Sequence, residues 1–267
     1  MITVMNKKWN RIWAMIYRNL LAERRNLLRI ADFFYWPALD IIIWGFMGTW
    51  MESTSRYTTH VTLMLLAALV LWQVVMRASY EISVSLVEEL WNRSLINLFA
   101  TPLTMGEWII AMMIIGIIKS TALLAFGAAV VYLFYGVNIF VLGPVLWMML
   151  AILIIFGWTI GFMSGALIIY WGQRVQSLPW FLAFIFMPLS AVYFPLTVLP
   201  PWLQTICRLL PASYIFEQLR SYVATGLYDA RALAIAALLA ISYLIAVLAI
   251  YFRLFAASLR SGLSRLE

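Results

Sequence analysis

Residues 83–107 read SVSLVEELWNRSLINLFATPLTMGE, a polar interruption set between two long apolar stretches. Val87, Leu90, Trp91, Leu95, Leu98 and Phe99 recur at helical spacing, with Glu88, Glu89, Asn92 and Arg93 opposite them. Pro102 stops that helix, because proline has no N–H to donate and its ring clashes with the preceding turn. The spacing predicts an amphipathic helix over 83–101. Such a helix either lies passively in the headgroup layer or presents a face to a soluble partner, and the rest of the chain must choose.

Outward from this stretch the chain is a membrane protein. Of 267 residues, 65% are apolar and 11% charged, more apolar surface than a soluble domain of this length can hide. At about twenty apolar residues per crossing the chain has room for roughly six spans and no separate soluble domain. The net charge of +7 does not mark a nucleic-acid binder, because of where it sits. Lys7, Lys8, Arg11, Arg18, Arg24, Arg25 and Arg29 precede the first span, and Arg253, Arg260 and Arg265 close the last. This is the positive-inside pattern, with both termini cytoplasmic. The first thirty residues lack the h-region and small-residue site of a cleavable signal. The single Cys207 excludes an internal disulfide and a thiolate metal centre.

Over 6–29, Trp9, Ile12, Trp13, Ile16, Tyr17, Leu20 and Leu21 form one stripe, with Arg11, Arg18 and Arg25 away from it. This predicts a helix flat on the cytoplasmic leaflet, aromatics at headgroup depth and arginines toward lipid phosphates. The first span is expected from Ile30 to Met51 and the second from Val61 to Ile82. The third runs from Glu107 to Tyr135 and the fourth from Pro144 to Trp171. The fifth, Leu178 to Val198, carries a kink at Pro188, and the sixth is Arg231 to Phe255. Between the last two, residues 199–228 hold apolar pieces too short to cross, and a full span there would move the basic C-terminus outside. They read as two half-length helices dipping in from the outer face and joined at Pro211. The fold class is therefore all-α integral membrane: one 1–267 unit with six transmembrane helices, an N-terminal interfacial helix and a re-entrant helical hairpin.

No catalytic centre is legible. His60 is the only histidine, and no lysine stands in a phosphate-loop context, so the chain lacks the means to hydrolyse nucleotide through such a loop. Asp40 and Lys119 are the ionisable residues expected nearest mid-membrane. At ~1.5 Å per residue Asp40 lies about 13–15 Å up and Lys119 about 18 Å, so they can pair if spans one and three are neighbours, or else face the substrate path. Gly157, Gly161 and Gly165 recur every four residues and predict a tight helix contact, within the chain or with a second copy. Tyr193 and Phe194 are candidates for the wall of a passage, where the fifth span meets the half-helices.

The segment SAVYFPLTVLPPWLQTICRLLPASYIFEQLR (190–220) resembles the C-terminal signature of ABC-2 type transporter permeases. It pairs an F-P-x-x-x-L-P-P-W-L run (Phe194, Pro195, Leu199, Pro200, Pro201, Trp202, Leu203) with a downstream L-x-P-x-x-Y (Leu209, Pro211, Tyr214) and the acidic–Arg couple Glu217 and Arg220. The 86–109 segment is similar to the family's loop between spans two and three. The resemblance implies a permease half that dimerises with a second copy in the cytoplasmic (inner) membrane and binds two ABC ATPase subunits. Those subunits would carry ATP and Mg, with no cofactor, metal or nucleic acid on this chain. It makes 83–101 a coupling helix that offers Glu88, Glu89, Trp91, Arg93 and Leu95 to the ATPase, and it implies export of a lipid, drug-like or other amphipathic compound. Export of a polysaccharide or lipid-linked glycan fits the same outline. An ATP-independent channel or secondary transporter is the reading from another class, though the inverted repeats of a carrier are not found.

Overall fold

The computed structural model describes residues 2–24, 26–54, 60–92 and 94–261. Ten α-helices occur among them, and no strand: α1 (Ile2–Arg24), α2 (Leu27–Thr54), α3 (Val61–Trp91), α4 (Leu95–Ala100), α5 (Met105–Tyr135), α6 (Pro144–Trp171), α7 (Leu178–Leu189), α8 (Pro201–Cys207), α9 (Pro211–Thr225) and α10 (Ala230–Ser261). Five of them, α2, α3, α5, α6 and α10, are long and apolar enough to cross a membrane.

Helices α3 and α6 form the centre of the bundle, and both are largely buried. Their approach is set by glycine. A Cβ at Gly157 would stand 2.7 Å from the Val75 carbonyl oxygen, and one at Gly161 would stand 2.7 Å from that of Ser79. Both distances are shorter than a carbon–oxygen contact allows, so the bare backbone of α6 is what lets α3 lie against it. Gly165 makes room instead for the ring of Tyr251 on α10. The four-residue glycine repeat is thus spent on contacts within the chain. Around this pair the buried side chains fall into two groups. One, with Trp72, Leu146 and Phe216, fills one end of the bundle. The other, with Ile16, Trp108, Met112, Phe162 and Tyr251, fills the end where α1 docks.

Helix boundaries follow local chemistry. The Asn26 side chain accepts the Arg29 amide at 3.3 Å and so caps α2, ending the expected 6–29 helix at Arg24. Thr104 and Glu107 form a reciprocal capping box at the start of α5. Gly136, at φ 66°, ends α5 in a left-handed turn that a side chain would strain.

Three expectations are corrected here. Residues 83–101 are not one helix. Residues 83–91 are the last turns of α3, and α4 follows after a break at Asn92–Ser94. The break has a local cause: the Ser94 hydroxyl bonds the Glu89 carboxylate, and its amide reaches the Glu89 carbonyl at 3.0 Å. Short polar side chains of this kind compete with the helical ladder. The fifth span does not run from Leu178 to Val198. Helix α7 ends at Leu189, one residue past Pro188, and Ala191 then takes a left-handed φ of 55°, so Pro188 marks the end of the helix rather than a kink within it. Finally, Arg11 and Arg18 are not left to lipid phosphates. Arg11 pairs with Glu107 of α5 and Arg18 with Glu89 of α3, and Arg25 lies outside the described residues.

The contacts of α1 also fix its direction. Arg11–Glu107 and Glu23–Lys119 share an offset of 96 residues, so over twelve residues α1 runs beside α5 in the same sense instead of across it. Its expected single stripe divides: Ile12 and Ile16 are buried against the bundle, while Trp9, Trp13 and Tyr17 stay exposed.

Candidate transport groove and the contacts of the first helix

Asp32, Trp36 and Asp40 recur every four residues and therefore share one face of α2. That face borders a groove of about 540 Å³ between α2, α3 and α7, closed at one end by Asn19 and Glu23 of α1. Helix α3 supplies the floor through Gln73, Arg77, Tyr80, Glu81 and Glu88, again at turn spacing. Helix α7 supplies Trp180 and Phe184, and Lys119 reaches in from α5.

The groove is ionic at one end. Lys119 Nζ donates to Glu81 Oε2 at 2.6 Å and also to Glu23 Oε1, so a single ammonium ties α5 to α3 and α1. Lys119 and Glu81 are both nearly sealed from solvent, which makes this a buried pair rather than a surface one. Arg77 lies over the Phe33 ring at 4.2 Å and has a guanidinium nitrogen 4.0 Å from Glu23. Arg29 bonds Glu88. Asp40 and Lys119 both line the groove, but they do not pair with each other. The expected pair is replaced because Arg77 and Glu81 share a face of α3 one turn apart, and Glu81 stands nearer the ammonium. That i, i+4 charge pair inside an apolar span was the sequence signal for the network.

A second set of contacts lies at the end of the bundle where α1 docks. Glu107 Oε2 accepts the Arg11 Nε at 2.9 Å and the Thr104 amide at 2.9 Å, so one carboxylate both caps α5 and holds α1. The bond to Glu107 raises the Arg11 guanidinium above its ordinary value. Of the expected partner-binding residues, Glu88 and Glu89 are engaged within the chain by Arg29 and Arg18. Trp91 is half-exposed, stacks on Trp180 at 6.0 Å between centroids and donates to Gln176 at 2.7 Å. Leu95 opens α4. Arg93 lies outside the described residues. Asn97, Ala100, Thr101 and Pro102 are exposed on and just after α4.

Tyr193 and Phe194 do not border the groove. Tyr193 stacks on Trp44 of α2, centroids 4.2 Å apart, and its hydroxyl meets Met187 Sδ at 3.6 Å. Both side chains are half-buried. The acidic–Arg couple closes the turn beside them. Glu217 Oε1 accepts the Leu196 amide and the Arg220 guanidinium, each at 2.8 Å. Helices α8 and α9 follow, meeting at Pro211, which starts α9 where a missing N–H costs nothing.

A bundle of long apolar helices around a charged groove defines a multi-pass membrane protein built for transport. A model of the ABC-2 type transporter family matches residues 10–224, more than three-quarters of the chain, and the chain belongs to that family. It is thus the membrane domain of an ABC-type transporter, a kind of permease that typically partners with an ABC ATPase subunit. No curated protein matches the chain.

Proposed function

We propose that this chain is the membrane half of an ATP-driven exporter, working as a homodimer in the cytoplasmic membrane with two separate ATPase subunits. Helix α7, with the turn and the α8–α9 pair behind it, makes the fifth of six crossings. Its start lies beside Trp91 at the inner end, while α10 begins among residues of the opposite core group. Both termini then face the cytoplasm, in keeping with the basic residues around them.

The observation that carries the reading is the set of ion pairs on the two helix ends that flank α4 in sequence. Arg11–Glu107, Arg18–Glu89 and Arg29–Glu88 join α1 and the start of α2 to the inner ends of α3 and α5. Trp91, Asn92, Asn97, Ala100, Thr101 and Pro102, all exposed, lie in sequence between those two ends. A soluble subunit that grips these residues moves α1, α3 and α5 as one piece, and the groove between α2, α3 and α7 changes its access. Glu88 and Glu89 then hold the coupling segment in place, while Trp91 and the surface of α4 face the ATPase. The docked contacts must differ in energy between the inward and outward states, or ATP would bias neither.

The test is reconstitution with an ABC ATPase subunit from the same organism. The ATPase should co-purify in mild detergent, and its turnover should rise when the chain is present. Asn97→Trp, a bulky change on an exposed turn, should abolish that rise while leaving the chain's elution volume unchanged. Uphill solute movement by the chain reconstituted alone would defeat the proposal.

A further inference from the structure

The groove carries more negative charge than it balances. Five carboxylates and three cations line it, and the cations are committed: Lys119 to Glu81 and Glu23, Arg29 to Glu88, and Arg77 beside Glu23. Asp32 and Asp40 have no ion pair or hydrogen bond among the described residues, and Trp36 lies between them on the same face of α2. They stand two turns apart, roughly 12 Å along the helix.

A second observation on the facing helix also points to a ligand. Gln73 of α3 is 7% exposed and donates its Nε2 to the Pro37 carbonyl at 3.2 Å, but its Oε1 has no partner. A buried acceptor left unmade is unfavourable, and few are tolerated without a use. The walls between these polar groups are aromatic, with Trp36 on α2 and Trp180 and Phe184 on α7.

We propose that the groove takes an amphipathic organic cation with an aromatic body and an N–H donor. Its positive head sits against Asp32 or Asp40, its rings lie on Trp36 and Trp180, and Gln73 Oε1 accepts the N–H. Carboxylates with aromatic faces attract a cation through charge and through the ring quadrupole, and they repel an anion of the same shape. This names the substrate class of the exporter above and rests on that reading for the groove being the substrate's path.

Ethidium is a suitable probe, since it is flat, cationic and carries amino N–H groups. Its fluorescence should rise saturably with the purified full-length chain in nanodiscs, no ATPase present. Tetraphenylphosphonium should displace it, and tetraphenylborate, of the same shape and opposite charge, should not. Asp32→Asn and Asp40→Asn should each weaken ethidium binding about tenfold, Gln73→Leu should weaken it too, and Asp40→Glu should retain it. Equal displacement by the two tetraphenyl ions overturns the proposal, as does unchanged affinity in an Asp32→Asn/Asp40→Asn variant that elutes like the wild type. If that variant fails to elute so, the pair of ions on the wild-type chain decides. Binding without ATPase stimulation would sink the exporter reading alone, and stimulation without binding would sink the substrate class alone.

Discussion

Lys119 is the residue on which three helices converge. Its ammonium bonds Glu81 of α3 and Glu23 of α1 from a position fourteen residues into α5. Removing one partner from a buried ion pair leaves the other charge uncompensated, which costs about 3–5 kcal/mol. Lys119→Met is therefore expected to destabilise the chain by that order in thermal unfolding followed by tryptophan fluorescence. Adding Glu81→Leu should recover most of the loss, since an apolar pair of similar volume removes the stranded charge. A double variant no more stable than the single one would show that the pairing is not what Lys119 contributes. Sequence reasoning reached Lys119 and Asp40 as membrane-embedded charges, either paired with each other or facing the path, and did not find Glu81 as the partner. Depth along two helices can be counted from a sequence, whereas the rotation of each helix about its axis, which turns Glu81 rather than Asp40 toward the ammonium, cannot.

At the scale of elements, the α3–α6 contact holds the bundle together and depends on two missing side chains. Gly157 and Gly161 face the backbone of α3 so closely that the neighbouring atoms are main-chain oxygens, which cannot swing aside. Gly161→Ala is expected to cost about 1–3 kcal/mol by overpacking, and Gly161→Val more. Gly136→Ala, with nothing near its Cβ, should cost only the left-handed strain, about 1–2 kcal/mol. Denaturation midpoints in detergent would rank the three, and a Gly161→Ala variant as stable as wild type would contradict the close approach. Helix α1 is bound differently. Its arginines are partly exposed, so its ion pairs with α3 and α5 contribute little, and most of its hold comes from Ile12, Met15 and Ile16 in the core where it docks. The ion pairs set register more than affinity.

For the whole molecule, the arrangement predicts how a disturbance at the inner end reaches the groove. Arg18→Glu or Glu89→Lys alone should weaken stimulation of the partner ATPase by breaking the link between α1 and α3. The combined swap Arg18→Glu/Glu89→Lys restores opposite charges at the same place and should restore stimulation. Reversal of Glu88 and Glu89 together, without their arginines, should loosen both links and lower stimulation further. ATPase turnover in proteoliposomes measures all of these, and a swap no better than its single variants would separate the ion pair from coupling. On the proposed reading the partner would grip Trp91 and the α4 surface, since the two carboxylates next to it are occupied within the chain.

The sequence by itself determined that the chain is helical and membrane-embedded, that α2, α3, α5, α6 and α10 are long enough to cross, and that glycines at 157, 161 and 165 mark close contact. Hydrophobic length, proline and glycine positions and charge bias are local quantities that a linear chain displays. The family text of 190–220 was equally open to reading, because its prolines and the Glu217–Arg220 couple shape one short turn. Only the tertiary structure decided that residues 83–101 divide at Asn92–Ser94, that α7 stops at Leu189, that α1 runs along α5, and that Lys119 belongs to Glu81 and Glu23. Each of these depends on how one helix is rotated and placed against another. That choice is made by packing and by pairing of charges distant in sequence, and no periodicity along a single segment records it.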